Sequence, residues 1–194
     1  MSFVIRPGFD DARRAEAAAL YWQAFGGKLG RVMRPEARAL SYVARVMRPD
    51  HAYAAVGMDG EVVGIAGFRS PLGSFVGGGL AELRGTYGLA GGTLRAGLLS
   101  LLTRDTDNDR LLVDGLCVRA DLRGRGIGRA LLEALCAEGR ARGYRQARLD
   151  VVGGNIRARA LYERAGFVAA GQSHSRVTGL LFGFRSVTMM VRPL

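Results

Sequence analysis

Apolar and polar positions divide the chain into strand-like and helix-like stretches that follow one another in a readable order. Residues 2–6 read as a short strand closed by Pro7-Gly8. Beyond Asp10, an N-cap residue type, Ala15, Ala18, Ala19, Trp22 and Phe25 recur at helical spacing, and Gly26-Gly27 with Gly30 predict the end of that helix. A second helix is predicted from near Pro35, which suits a first helical turn, to about Met47, where Arg48-Pro49-Asp50 breaks the pattern. Two β-like runs follow, 51–58 and 61–69, and the Asp59-Gly60 between them is a strong hairpin signal.

Residues 70–110 carry so many glycines that they read as a flexible, partly helical connection, with a short amphipathic helix over 93–103 and an exposed turn marked by Asp105, Asp107 and Asp109. The alternative is a lid or wall of an acceptor pocket, since long glycine-rich loops beside a site often gate it. Periodicity sharpens again afterwards. The run 111–118 is a buried strand, and 127–142 is a helix whose Ile127, Ala130, Leu131, Ala134, Leu135 and Ala141 form one apolar face. A strand over 146–152, a helix over 155–165 and a strand over 167–171 come next. Residues 174–178 have no clear pattern, and 185–192 reads as a final strand with Val187, Met189 and Val191 on one face.

A chain of 194 residues accommodates one well-buried α/β domain, so residues 1–194 are expected to form a single domain with 70–110 as its variable part. No apolar run approaches the roughly 18 residues of a membrane helix, and the N-terminus lacks the layout of a secretory signal. Two cysteines, Cys117 and Cys136, without CxxC spacing give no metal or disulfide framework, and the cytoplasm is the expected compartment.

The net charge of +11 points to anionic partners, and all but one of the 28 basic residues are arginines, Lys28 being the exception. Nucleic acid is disfavoured, because zinc-finger spacing, an aromatic RNA-binding signature and a basic heptad helix are all missing. Part of the charge is local. Over 111–171 eleven arginines stand against six acids, with Arg119, Arg123, Arg125 and Arg129 crowded on one loop, a placement that suits a phosphate-bearing small ligand.

That loop, Arg123-Gly124-Arg125-Gly126-Ile127-Gly128, joins a strand to a helix. Glycines there let backbone N–H groups approach a ligand, and a helix N-terminus carries partial positive charge, which together make a phosphate cradle. A Rossmann fingerprint fails because its last position falls on Arg129 or Leu131, although Asp150 lies where a ribose-binding acid would. A Walker A loop fails for want of Lys-Ser/Thr after the glycines. What remains, Arg-x-x-Gly-x-Gly with its strand and helix, resembles motif A of the GNAT superfamily of acyl-CoA-dependent N-acyltransferases. Downstream, Asn155-Ile-Arg-Ala158-Arg-Ala-Leu-Tyr162-Glu-Arg-Ala-Gly166-Phe167 is similar to that family's Asn-x-x-Ala-x-x-x-Tyr-x-x-x-Gly-Phe segment. Asn155 and Tyr162 are seven residues apart, about two helical turns, and so share a helix face.

The resemblance implies an α/β fold: a mixed, mostly antiparallel sheet of about six or seven strands flanked by helices, splayed between the strands at 111–118 and 146–152. It implies acetyl-CoA as the acyl donor and an amine as the acceptor, with transfer by direct attack. Backbone groups of Leu116, Cys117 and Val118 would then pair with the pantetheine arm, N–H groups of Arg123, Gly124, Arg125, Gly126, Ile127 and Gly128 would hold the pyrophosphate, and Arg123, Arg125 and Arg129 would add charge. Asn155 caps its helix or bonds a ligand amide, and Ala158 leaves room beside it. Tyr162 is the expected general acid for the thiolate, unless it only packs on the pantetheine. Asp114, a carboxylate in an otherwise apolar strand, is the expected general base, directly or through water, unless it bonds only to neighbouring backbone.

Asp150 reads as structural, and Cys117 reads as a buried small hydrophobe in preference to a nucleophile. His51 and His174 form no ligand spacing and read as ordinary surface or strand residues, so no metal is invoked. Two other readings stay open: a catalytically silent acyl-CoA-binding module, and a basic nucleic-acid binder whose affinity would fall steeply with salt. Acceptor identity and homodimerisation are not legible in the sequence.

Overall fold

The computed structural model describes residues 2–102 and 109–194; the predicted turn residues Asp105 and Asp107 lie outside the described residues. In chain order the elements are β1 (Phe3–Pro7), α1 (Arg14–Leu29), α2 (Glu36–Val46), β2 (Ala52–Gly57), β3 (Val62–Ser70), β4 (Gly73–Ser74), α3 (Leu80–Tyr87), α4 (Leu89–Ser100), β5 (Arg110–Val118), α5 (Ile127–Ala141), β6 (Gln146–Val152), α6 (Ile156–Arg164), β7 (Val168–His174), α7 (Arg176–Phe182) and β8 (Ser186–Pro193). One sheet joins all eight strands in the order β1-β2-β3-β5-β6-β8-β7, with β4 paired to β3. Every pair is antiparallel except β5 with β6, so the sheet is mixed and mostly antiparallel as expected.

The parallel pair is short. Only Arg110, Leu111 and Leu112 of β5 find partners on β6, opposite Gln146, Ala147 and Arg148, so the two strands part from Val113 onward. The sheet is thus splayed at the place the resemblance implied. Helices cover both faces. One cluster packs α1, α2, α3 and Phe182 of α7 together, while α5 lies over Val63, Ala66 and Phe68 in a second and shares a third with β6 and α6.

Local chemistry accounts for several boundaries. The Asp10 carboxylate accepts the Ala12 N–H at 2.9 Å and starts a 3-10 turn that leads into α1. Contrary to expectation, α1 does not stop at Gly26-Gly27 but continues to Leu29. Its buried Leu20, Tyr21 and Trp22 anchor the helix in the core, and such tertiary packing outweighs the roughly 1 kcal/mol each glycine costs.

Residues 70–110, expected as a flexible, partly helical connection with one short helix, hold β4 and two helices, α3 and α4, among the described residues. Leu83 and Tyr87 are buried against the α2 side of the molecule, and the Tyr87 hydroxyl donates to Met33 O at 2.8 Å. Gly92 serves close packing: a Cβ there would lie 2.5 Å from the Arg84 backbone, so α4 meets α3 backbone to backbone. Helix α4 also begins at Leu89, four residues before the predicted start. In the patternless stretch after His174, Ser175 Oγ accepts the Thr178 N–H at 3.3 Å and caps α7. On β8 the fully buried side chain is Met190, on the face opposite Val187, Met189 and Val191, because this strand lies between β6 and β7 and one face rests on the α5–α6 layer. His51, expected as an ordinary surface or strand residue, is buried in a 3-10 turn with Nε2 3.1 Å from Ser70 Oγ.

Candidate active site at the splayed strands

Gly124 and Gly126 adopt left-handed φ values of +80° and +83°, and Gly126 is the N-cap of α5. No side chain caps this helix, so its first N–H groups stay available at a positive dipole end. Nothing lies within 4 Å of the positions a Cβ would take on Gly124 and Gly126, and the concave side of the turn is open. Gly128, by contrast, sits against Leu161, Leu116 and Val118, and its lack of a side chain lets α6 and β5 close on the start of α5. Ile127 is buried in the core and fixes the helix, while Arg125 and Arg129 are exposed. Arg123 is also exposed but tethered, its Nε donating to Val118 O at 3.2 Å.

Strand β5 enters this region through a bulge. Phe68 pairs with Val113 and Ala66 with Leu116, so β5 spends one more residue than β3 over the same span. Gly115 absorbs it with φ +104°, and the Tyr21 and Phe25 rings come to 3.3 and 3.4 Å of its missing Cβ. From Val113 to Val118 the edge of β5 that faces β6 has no ladder partner among the described residues. By strand alternation Cys117 turns its backbone groups to Ile65 on β3, while Leu116 and Val118 turn theirs to the open edge, where an extended ligand arm can add as a strand; the Val118 carbonyl already accepts from Arg123 Nε.

Asp114 sits at the bulge. Its Oδ2 is 3.8 Å from Arg69 Nη2, a Val76 backbone N–H donates to the carboxylate, and Oδ2 is buried without a hydrogen-bond partner among the described residues. Burial pushes the carboxyl pKa up, while Arg69 and the Val76 bond oppose that shift. Tyr21 shares this environment, and the charge on Asp114 adds to burial in pushing its phenol upward. Tyr21, Arg69 and Val76 are neighbours that the sequence did not single out; they come from α1, β3 and the segment before α3, and no motif links them.

Tyr162 is 9 % exposed, and its ring meets Phe167 edge-on at a centroid distance of 6.3 Å. Its cluster includes Leu149 and Val151 of β6, with Val113 and Leu116 of β5 packed against it, so it bridges the two diverging strands. Burial pushes the phenol to about 12, with a smaller contribution from Cys117. The Cys117 thiol, buried and directed at Ile65 O at 3.7 Å, is likewise pushed up to about 12 and stays protonated.

Asn155 accepts the Ala158 N–H at 3.2 Å and caps α6, which commits its carbonyl oxygen to the helix; Ala158 lies half-buried beneath it. The exposed Asn155 and the buried Tyr162 thus have different settings, one at the surface end of the helix and one in its core. Asp150 lies opposite Met189 in the β6–β8 pair, 3.7 Å from Arg148.

Known proteins resemble this chain in part of its sequence or in its fold. The chain is 53% identical over 45 residues to a mycothiol acetyltransferase of Beutenbergia cavernae, a stretch that is 23% of this chain and 15% of that protein. The structure superposes on an N-acetyltransferase from Staphylococcus aureus Mu50 with a TM-score of 0.65 at 17% identity, over 97% of this chain and 99% of the other. It also superposes on a putative streptothricin acetyltransferase from Bacillus anthracis str. Ames, in complex with acetyl coenzyme A, with a TM-score of 0.51 at 14% identity, over 74% of this chain and 61% of that one. At these identities the structural matches speak for the fold alone. The sequence pattern of the acetyltransferase (GNAT) family matches residues 15–167, and the chain belongs to that family.

Proposed function

We propose that this protein transfers an acetyl group from acetyl-CoA to a primary amine of a small molecule, peptide or protein. The observation that carries this reading is the joint opening of two features on one side of β5: the unpaired edge from Val113 to Val118, and the uncapped, glycine-cradled N-terminus of α5. An extended amide-bearing arm suits the first, and a pyrophosphate suits the second. Leu116 and Val118 hold the arm by backbone pairing, and N–H groups of residues 123–128 hold the phosphates, with Arg125 and Arg129 adding charge.

Acetyl-CoA supplies a thioester whose carbonyl carbon is open to attack and whose sulfur leaves. The chain's own groups then handle protons. An ammonium must become a neutral amine before it attacks, and Asp114, with its raised pKa, takes that proton directly or through water. As the N–C bond forms and the C–S bond breaks, the new amide nitrogen sheds its extra proton to solvent, Tyr162 gives its proton to the departing sulfur, and the phenolate recovers one from solvent. Burial keeps the phenol in its donor form at neutral pH; with the phenol at about 12 and the thiol at roughly 8.5 the transfer itself is uphill, and proton uptake from solvent by the phenolate completes it. A backbone N–H near Cys117 or Val118 polarises the carbonyl.

The test is thiol release from acetyl-CoA across a panel of primary amines, alongside direct binding of acetyl-CoA. Turnover with at least one amine, lost in Tyr162→Phe, is expected. No acetyl-CoA binding at millimolar concentration would sink the reading. Tight binding with no transfer to any amine, unchanged by Tyr162→Phe, would make the chain a silent acyl-CoA-binding module.

A further inference from the structure

A second concavity, about 300 Å³, opens where the α1–α2 connection, α4 and α7 meet. Leu94 and Leu98 of α4 and Leu180 and Leu181 of α7 line it, together with Arg31 and Arg95. Leu94 is 63% exposed and Leu180 78%, an unusual amount of leucine surface to leave in water at one depression. Beneath them, Leu98 and Leu181 pack on the large apolar cluster to which Tyr21, Phe25 and Cys117 also belong.

The two arginines are fixed but not neutralised. Arg31 Nη1 donates to Leu180 O at 3.1 Å, and Arg95 donates to Gly91 O at 3.0 Å and Arg34 O at 2.9 Å while lying over the Tyr87 ring at 4.1 Å. Their partners are uncharged carbonyls and an aromatic face, and neither arginine meets a carboxylate among the described residues. Two held guanidiniums beside an apolar hollow complement a molecule that is hydrocarbon over most of its surface and anionic at one end.

We propose that this pocket receives the acyl acceptor itself, as the apolar body of an amine that also carries a carboxylate, in the manner of an apolar amino acid. The leucines cover the hydrocarbon part and Arg31 and Arg95 meet the carboxylate. This rests on the transferase reading above. It gives a reason for α4 and α7, since both expose leucine on the side where they meet.

The experiment uses the full chain and two non-transferable probes, 3-phenylpropanoate and its neutral amide, measured by calorimetric titration. The acid is expected to bind more tightly than the amide. Arg31→Gln should weaken the acid about threefold, as a partly exposed charge pair would. Leu180→Asp should weaken both probes about tenfold by placing a charge on the apolar wall. Both positions are exposed, and an unchanged thermal midpoint with unchanged acetyl-CoA binding establishes that the effect is local. Equal binding of acid and amide, no binding of either, or indifference to both substitutions would overturn the proposal. Thiol release with L-phenylalanine and 2-phenylethylamine then separates the two readings. Transfer that ignores the carboxylate overturns the acceptor class and leaves the transferase standing; probe binding with no transfer to any amine overturns the transferase and the acceptor assignment with it.

Discussion

Arg69 Nη2 stands 3.8 Å from Oδ2 of Asp114, beside the bulge that Gly115 creates in β5. The guanidinium lowers the carboxyl pKa and burial raises it, and burial wins. Replacing Arg69 with Gln removes the opposing charge. The acid limb of the kcat/KM profile should then move to higher pH, and a limb left in place would remove Asp114 from the base role.

Asp114→Asn should lower kcat/KM by about 10²- to 10⁴-fold, the usual contribution of a positioned base. Stability should move the other way. A carboxyl with a raised folded pKa contributes stability below its unfolded value of about 4 and loses it as pH rises through the folded value. At neutral pH the buried charge is therefore a cost, and the Asn variant should melt at a higher temperature than the parent. The gain should vanish in acid, which thermal melts at pH 7 and pH 3.5 will check.

Tyr162→Phe should reduce kcat while leaving acetyl-CoA affinity within about twofold, because the ring and its packing on Phe167 remain. With the phenol near 12, no alkaline limb from Tyr162 is expected below about pH 10. A pH–rate profile on both proteins tests this.

Cys117→Ala should keep activity within a few-fold. A thiol pushed to about 12 is not a nucleophile near neutrality, and the substitution leaves the backbone of β5 in place. Loss of turnover, or an acetylated Cys117 in mass spectrometry, would show a covalent route.

Gly126→Ala adds a Cβ that clashes with nothing, so its cost is conformational: about 1–2 kcal/mol for holding φ near +83°. The expected result is a modest drop in thermal stability with a larger loss of acetyl-CoA affinity, since relaxing the turn re-aims the N–H groups. Equal affinity in titration would remove the turn from the pyrophosphate site.

Much of the second half was legible because its signals are local. The strand-glycine-helix pattern around Arg123 to Gly128 and the Asn155/Tyr162 spacing each lie within one turn or one helix, and β5, α5, β6 and α6 stand within a residue or two of where periodicity puts them. Glycine misled the reading of 70–110, where it marks close backbone contact as readily as flexibility. Gly92 against Arg84 settles which, and that contact exists only once α3 and α4 are folded.

The sequence by itself determined the family likeness and the order of most elements, including the glycine-rich turn that opens α5, since these rest on nearest-neighbour spacing along the chain. Only the tertiary structure decided what surrounds Asp114, that Asn155 is committed to a helix cap and that Tyr162 is buried between diverging strands. It alone brought Arg31, Arg95 and four leucines to one hollow. Burial and cross-chain distance set pKa and pocket chemistry, and neither quantity exists until segments far apart in sequence are packed together.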